Sequence, residues 1–344
     1  MTPALIEARG LTKHFKVGGL FSHTLLHAVD DAEFAIGAGE IVALVGESGS
    51  GKSTVARLLA KVHRPTSGEI LYQGRPLSSM RSRRQVLAYR GDVPMVFQDP
   101  FSSLNPAYRV SHGIMRGLIL HRPDLDRAGR RAEAIRVVEA VGLHPGAEIL
   151  ERYPYELSGG QRQRIGFAQA LAYRPKLIIA DEPVSALDVS IQAQVVNLLE
   201  DLQNELNLTY VMIAHDLSVV RHVSDRVAVM YLGKIVELGD RTDVYERPMH
   251  PYTVALLSAV PIPDPTRATK RERILLTGDV PSPLNPPPAC RFHTRCWKAQ
   301  EVCSVEEPPL VAMRGNHQVA CHFPENVGET DVSGDQIPET SISR

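Results

Sequence analysis

Short, continuous apolar runs bounded by glycine or charge recur through the first three quarters of the chain. "GEIVALVG" (Gly39–Gly46), "KLIIAD" (Lys176–Asp181) and "TYVMIAH" (Thr209–His215) have the length and β-branched content of strands. None alternates apolar with polar, so each must be covered on both faces, which predicts a parallel sheet flanked by helices. Between them the period lengthens. "RAEAIRVVEAVGL" (Arg131–Leu143) carries apolar residues at Ile135 and Val138 and predicts a helix ending at Val141–Gly142. "RVAVMYLGKIVELG" (Arg226–Gly239) predicts a hairpin turning at Gly233. After Pro261 the pattern is lost. "PIPDPT" and "PSPLNPPPAC" are proline-rich and extended, and from about Asn326 the chain is polar with few apolar positions. The expected organisation is an α/β domain over residues 1–262, an extension over 263–325 and a disordered tail over 326–344.

The composition narrows this reading. A net charge of -1 gives no indication of a nucleic-acid partner. The N-terminus lacks a basic segment followed by an apolar run, and no apolar stretch approaches the roughly 18 residues that span a bilayer. A cytosolic chain with reduced thiols is expected.

The strongest chemical signal is "GESGSGKST", Gly46–Thr54, placed after a predicted strand and before a helical run. Gly46, Gly49 and Gly51, with Ser48 and Ser50 between them, let successive N–H groups curl around a phosphate, and the helix N-terminus adds partial positive charge. Lys52 reaches the β- and γ-phosphates, Ser53 supplies a hydroxyl to Mg²⁺, and Thr54 completes the loop. In "LIIADEP" a buried strand ends in two carboxylates. Asp181 suits the Mg²⁺ shell and Glu182 a general base for the attacking water. A third anion-seeking element is "LSGGQRQR", where Ser158, Gly159, Gly160 and Gln161 open another helix. One ATP does not need two such helix ends from one subunit, so the surplus points to a site completed by a second copy.

These motifs resemble those of the ATP-binding cassette (ABC) family, the nucleotide-binding half of ABC transporters, from Leu5 to about Pro263. "LSGGQ" at Leu157–Gln161 is similar to the family's signature loop. The resemblance implies a P-loop fold with a RecA-like core, an antiparallel β subdomain and a helical subdomain over 98–174. It implies that Phe15 stacks on adenine, that Gln98 touches Mg²⁺ and the attacking water, that Asp188 is the D-loop aspartate, and that His215 steadies the γ-phosphate. It also implies two subunits facing head to tail, with "NPAYRV" (Asn105–Val110) lying where a membrane partner docks. A soluble cassette ATPase acting on DNA or ribosomes is the competing class. Its members usually carry two cassettes or a long coiled coil, and this chain has one cassette and no sustained heptads.

"HPYTVALLSAVP" and "GDVPSPLNPPPACRFHTRC" resemble the C-terminal extension of oligopeptide and dipeptide importer ATPases. That resemblance implies peptide import, with nickel or another small solute as the alternative within the branch. It also implies a second, paralogous ATPase chain, two transmembrane permeases and an extracytoplasmic solute-binding protein, with this subunit on the cytoplasmic face of the membrane. All four cysteines lie in this segment, at Cys290, Cys296, Cys303 and Cys321. Clustered thiols in a reducing compartment point to metal, and the spacing lacks the paired knuckle that zinc favours. Four thiolates on irregular loops suit a [4Fe–4S] cluster at least as well as zinc. The resemblance, some of whose members carry such a cluster, implies a structural [4Fe–4S] cluster, with zinc as the alternative, His293 as a spare ligand and a reduced, metal-free extension as the third reading.

Overall fold

The computed structural model describes residues 4–18, 24–98, 104–185, 187–260 and 274–327. The expected domain boundary at 262, the "PIPDPT" run and residues 328–344 of the expected tail lie outside these. The strands in chain order are β1 (Ile6–Val17), β2 (Thr24–Ile36), β3 (Ile41–Val45), β4 (Ser67–Tyr72), β5 (Arg75–Pro76) and β6 (Met95–Val96). They continue with β7 (Leu177–Asp181), β8 (Thr209–Ala214), β9 (Arg226–Tyr231), β10 (Lys234–Asp240), β11 (Val311–Arg314) and β12 (His317–Val319). An antiparallel sheet runs β2-β1-β4-β5, and a larger sheet runs β11-β12-β10-β9-β3-β8-β7-β6.

The middle of the larger sheet is parallel, as the unbroken apolar runs predict: β3 pairs in parallel with both β8 and β9, and β7 with β8 and β6. β3 shows why its run does not alternate. Ile41, Ala43 and Val45 enter the core on the helical side, whereas Val42 and Leu44 enter the core shared with the antiparallel sheet. Successive side chains point to opposite faces, and here both faces are dry. β9 and β10 form the expected antiparallel hairpin, and Leu232 and Gly233 at its turn both have positive φ, at 43° and 84°. The helix expected after Arg131 spans Arg127–Ala140; Asp126 caps it by accepting from the Gly129 N–H at 2.7 Å, and Gly142 at φ 73° follows its end.

The extension lies against the edge of the larger sheet. β12 pairs antiparallel with β10, matching Glu237 with Val319, and β11 pairs with β12. Phe292 is buried in the main core, 5.2 Å from the Tyr231 ring and 5.5 Å from that of Tyr252. Below it, the fully buried Glu237 carboxylate accepts from the Met249 and His250 N–H groups, each at 2.8 Å, and from His317 Nε2 at 2.7 Å. Complete burial pushes His250 down to about 3, which keeps its ring neutral beside that carboxylate.

Candidate ATP site

The loop Gly46–Thr54 leaves β3 and enters the helix Lys52–Leu59. Two glycines in it are sterically required. Gly46 has φ 149°, and a Cβ there would stand 2.1 Å from the Met230 carbonyl; Gly51 has φ 108°, and its Cβ would stand 2.2 Å from the Ala28 carbonyl. The loop therefore lies pressed between the hairpin and β2, where no side chain fits. Lys52 Nζ donates to the Gly46 carbonyl at 2.7 Å and the Glu47 carbonyl at 2.9 Å. Burial lowers the Lys52 pKa, and the carboxylates of Glu182, Asp181 and Glu47 partly restore it. The ammonium is thus poorly hydrated and close to the site of the phosphates.

The Ser53 hydroxyl donates to Asp181 Oδ1 at 3.0 Å, so β7 and the loop, 128 residues apart, bring together the two oxygen ligands expected for Mg²⁺. The Asp181 carboxyl is 4% exposed, and burial raises its pKa against the hydrogen bond from Ser53. A buried carboxylate with a half-buried hydroxyl beside it, both hard oxygen donors, fits Mg²⁺, which would supply countercharge to the carboxylate and the phosphates alike.

Glu182 follows on the strand tip with φ 46°, a left-handed conformation that is uncommon for a side chain this long. Its N–H donates to the Ile213 carbonyl at 3.0 Å, which ties this turn to β8. Glu182 Oε2 accepts from Gln98 Nε2 at 2.7 Å and lies 3.3 Å from His215 Nδ1. Gln98, Glu182 and His215, taken from three separate motifs, thus meet at one oxygen, beside a cavity of about 30 Å³ lined by Glu182, Ser185, Gln192 and His215.

The remaining expected residues lie elsewhere. Ser158 caps the helix Gly159–Leu171 through a reciprocal box with Gln161: its hydroxyl accepts from the Gln161 N–H at 3.2 Å, and its own N–H donates to Gln161 Oε1 at 3.0 Å. Ser158 is exposed, and Gly160 packs against Ile191. Asp188 is exposed at the start of the helix Val189–Leu206. Phe15 lies on β1, edge-on to His63 with ring centroids 5.3 Å apart and Lys13 Nζ 4.9 Å above its ring.

Sequence reasoning missed how heavily the loop leans on the C-terminal segment. The Glu47 N–H donates to the Tyr252 hydroxyl at 2.8 Å, and Arg295 reaches the Glu47 carboxylate at 2.9 Å. Asp30 gathers Arg291, His14 and His27. Burial works against its charge, but hydrogen bonds from Arg291 and His14 prevail and take its pKa down to about 2. His14, His27 and Asp30 are the only metal-type trio gathered within 4.8 Å among the described residues, and Arg291 already neutralises its carboxylate.

The four cysteines converge, as their clustering suggests, and form no disulfide. Cys303 is buried, Cys290 and Cys296 pack against the main core, and Cys321 Sγ accepts from the Phe323 N–H at 3.4 Å. The four line one hollow together with Phe292 and Pro251. No three of the thiols lie within 4.8 Å of one another, whereas a tetrahedral zinc with Zn–S of about 2.3 Å draws its thiolates closer than that. Burial raises the Cys290 and Cys296 thiols and pushes Cys321 up to about 11. The His293 ring donates from Nδ1 to the Cys290 carbonyl at 2.7 Å and is a turn-closing residue in this arrangement.

Comparison with known proteins agrees with the geometry. The family described as ABC transporter matches residues 29–185, and the family described as oligopeptide/dipeptide transporter, C-terminal region, matches residues 236–303. The oligopeptide transport ATP-binding protein AppF of Bacillus subtilis is 49% identical over 322 residues, 93% of this chain and 97% of its own length. OppF of Haemophilus influenzae, also an oligopeptide transport ATP-binding protein, is 51% identical over 86% of this chain and 88% of its own. Among solved structures, the dimeric ATP-binding cassette MJ0796 bound to ADP and Pi superposes with a TM-score of 0.61 at 27% identity, covering 69% of this chain and 98% of that one. These relatives are described as ATP-binding proteins, without iron–sulfur chemistry, and on that comparison the expected [4Fe–4S] cluster is not supported. With AppF matched over nearly its whole length and the loop, the strand-tip carboxylates and the signature helix all in place, the chain belongs to the ABC transporter family, as an ATP- and Mg²⁺-dependent ATPase subunit of its oligopeptide/dipeptide importers that works with membrane permease partners.

Proposed function

We propose that this subunit energises peptide uptake from the cytoplasmic face of a membrane, as half of a head-to-tail pair of ATPases. One observation carries the pairing. The loop, the Mg²⁺ ligands and the Gln98–Glu182–His215 cluster belong to one site, whereas Ser158 caps its own helix and faces solvent, an anion-binding end left for a second subunit. In this reading Lys52 and the loop amides hold the phosphates, Ser53, Asp181 and Gln98 hold Mg²⁺, and Glu182 accepts the proton of the attacking water. Gln98 and His215 fix the Glu182 carboxylate, and Phe15 packs on the base. Asp188, exposed at the start of the helix Val189–Leu206, faces the same partner as Ser158.

Within the described residues no helix is long and apolar enough to cross a membrane, so the work must pass to permease chains. The reading places two permeases, a paralogous ATPase and an extracytoplasmic solute-binding protein around this chain. The cassette spans residues 1–262, with the 98–174 helical segment presenting Asn105–Val110 to a permease, and the extension follows. The test is uptake in cells lacking this subunit, across di- and oligopeptides and nickel. Loss of peptide uptake, restored by the wild-type chain and not by its Lys52→Ala variant, is the expected result. Loss of nickel uptake with peptide uptake intact would move the chain to the other solute class.

A further inference from the structure

Glu47, the second residue of the phosphate loop, is gripped at three points. Its carbonyl accepts from Lys52 Nζ at 2.9 Å. Its N–H donates to the Tyr252 hydroxyl at 2.8 Å. Its carboxylate receives Arg295 Nη1 at 2.9 Å and Nη2 at 3.4 Å. The last two grips come from the C-terminal segment, some two hundred and more residues away in sequence. The Arg295 side chain is only 8% exposed and is oriented by the Tyr231 hydroxyl at 3.4 Å. The other side of the loop is held through the hairpin turn: the Ser50 carbonyl accepts from the Gly233 N–H at 2.8 Å, and Arg291 donates to the neighbouring Leu232 carbonyl while pairing with Asp30. Arg291, shortly before the turn His293–Arg295, and Arg295, its last residue, thus brace both sides of the loop.

We infer that Arg295 is a positioning residue for ATP binding: through Glu47 it holds the phosphate loop in its cradle shape, so that a folded, docked extension is part of the nucleotide site. Arg295 need not touch the nucleotide. Its effect has two physical parts. A forked, charge-assisted contact fixes the side chain next to the first loop amides, and those amides bind phosphate only while they converge. The guanidinium also neutralises a carboxylate whose field reaches Lys52 and would otherwise repel the phosphates. The extension then does for the loop what an outer shell of hydrogen bonds does for any preorganised site.

The inference rests on reading Gly46–Thr54 as the ATP cradle, and the experiment separates the two. Affinity for a fluorescent ATP analogue is measured on the full-length chain, and KM and kcat for ATP on the assembled transporter. Lys52→Ala tests the cradle itself; if it leaves affinity unchanged, the site reading fails and Arg295 has nothing to position. With that control in place, Arg295→Gln is expected to weaken ATP binding about tenfold and to raise KM alike, with kcat at saturating ATP within about twofold of wild type. Arg295→Lys should recover part of the loss, since it keeps the charge and loses the fork. Glu47→Ala approaches the pair from the loop side without disturbing the packing of the extension, and adding Arg295→Gln to it should cost nothing more. Tyr252→Phe keeps the buried ring, deletes only the hydroxyl under the Glu47 N–H, and should raise Kd about threefold. Lys298→Ala, which breaks the Lys298–Glu325 pair elsewhere in the extension, should leave affinity unchanged. Unchanged ATP affinity in Arg295→Gln and Glu47→Ala overturns the inference, as do losses that add in full in the double variant.

Discussion

Replacing Glu182 with Gln tests the assigned base with little change in shape. The amide keeps the volume and an acceptor for Gln98 Nε2, now 2.7 Å from the carboxylate, and leaves the left-handed turn at φ 46° in place. What it loses is the charge and the ability to take a proton. Loss of a positioned general base typically costs about 10²–10⁴ in rate, which is roughly 3–5 kcal/mol of barrier. Binding should move in the opposite direction. The Glu182 carboxylate is the largest electrostatic influence raising the pKa of Lys52, so its field extends over the phosphate site. Removing a negative charge there favours the polyanion, and the ATP-bound pair should persist. The assays are phosphate release by the assembled transporter, analogue binding by the isolated chain, and the size of the subunit with ATP by gel filtration. Turnover within tenfold of wild type would refute the assignment of Glu182 as base. Loss of both turnover and binding would show that the site had collapsed and the magnitude above did not apply.

Lys52→Ala should weaken ATP binding by about 1.5–3 kcal/mol, roughly tenfold to a hundredfold in Kd, because no other cation takes its place between the Gly46 and Glu47 carbonyls; calorimetric titration measures it. Ser158→Arg should abolish hydrolysis in the assembled transporter while the isolated chain still binds ATP, since the bulk enters the partner's site; loss of binding in the isolated chain would contradict the head-to-tail reading. Glu237→Ala should destabilise the fold by about 3–5 kcal/mol, seen as a large drop in Tm, because it strands the Met249 and His250 N–H groups and the His317 ring in a fully buried place. An unchanged Tm would mean that water or another acceptor reaches this carboxylate's place.

The candidates for the ATP site were legible because each motif is local. Gly46, Gly51, Lys52 and Ser53 are neighbours in sequence, and the backbone of the strand-to-helix turn requires the two glycines. The unbroken apolar run of β3 gave the parallel sheet, since a strand buried on both faces cannot alternate. The cysteine cluster misled because spacing reports that thiols are near one another and not what, if anything, they hold. Composition could not reveal that Phe292 and buried thiols make the extension a continuation of the main core.

The sequence by itself offered the candidate groups of the ATP site and the apolar runs that become β3, β7 and β8, because propensity, steric limits and periodicity act over a few residues. Tertiary structure alone decided which distant groups share an atom. Gln98 and His215 meet at one oxygen of Glu182, Ser53 meets Asp181, and Arg295 meets Glu47 across 248 positions of chain. Such meetings depend on which sheet edges pair and which faces pack, and the free energy that selects them is summed over the whole core, so no short stretch of sequence records them.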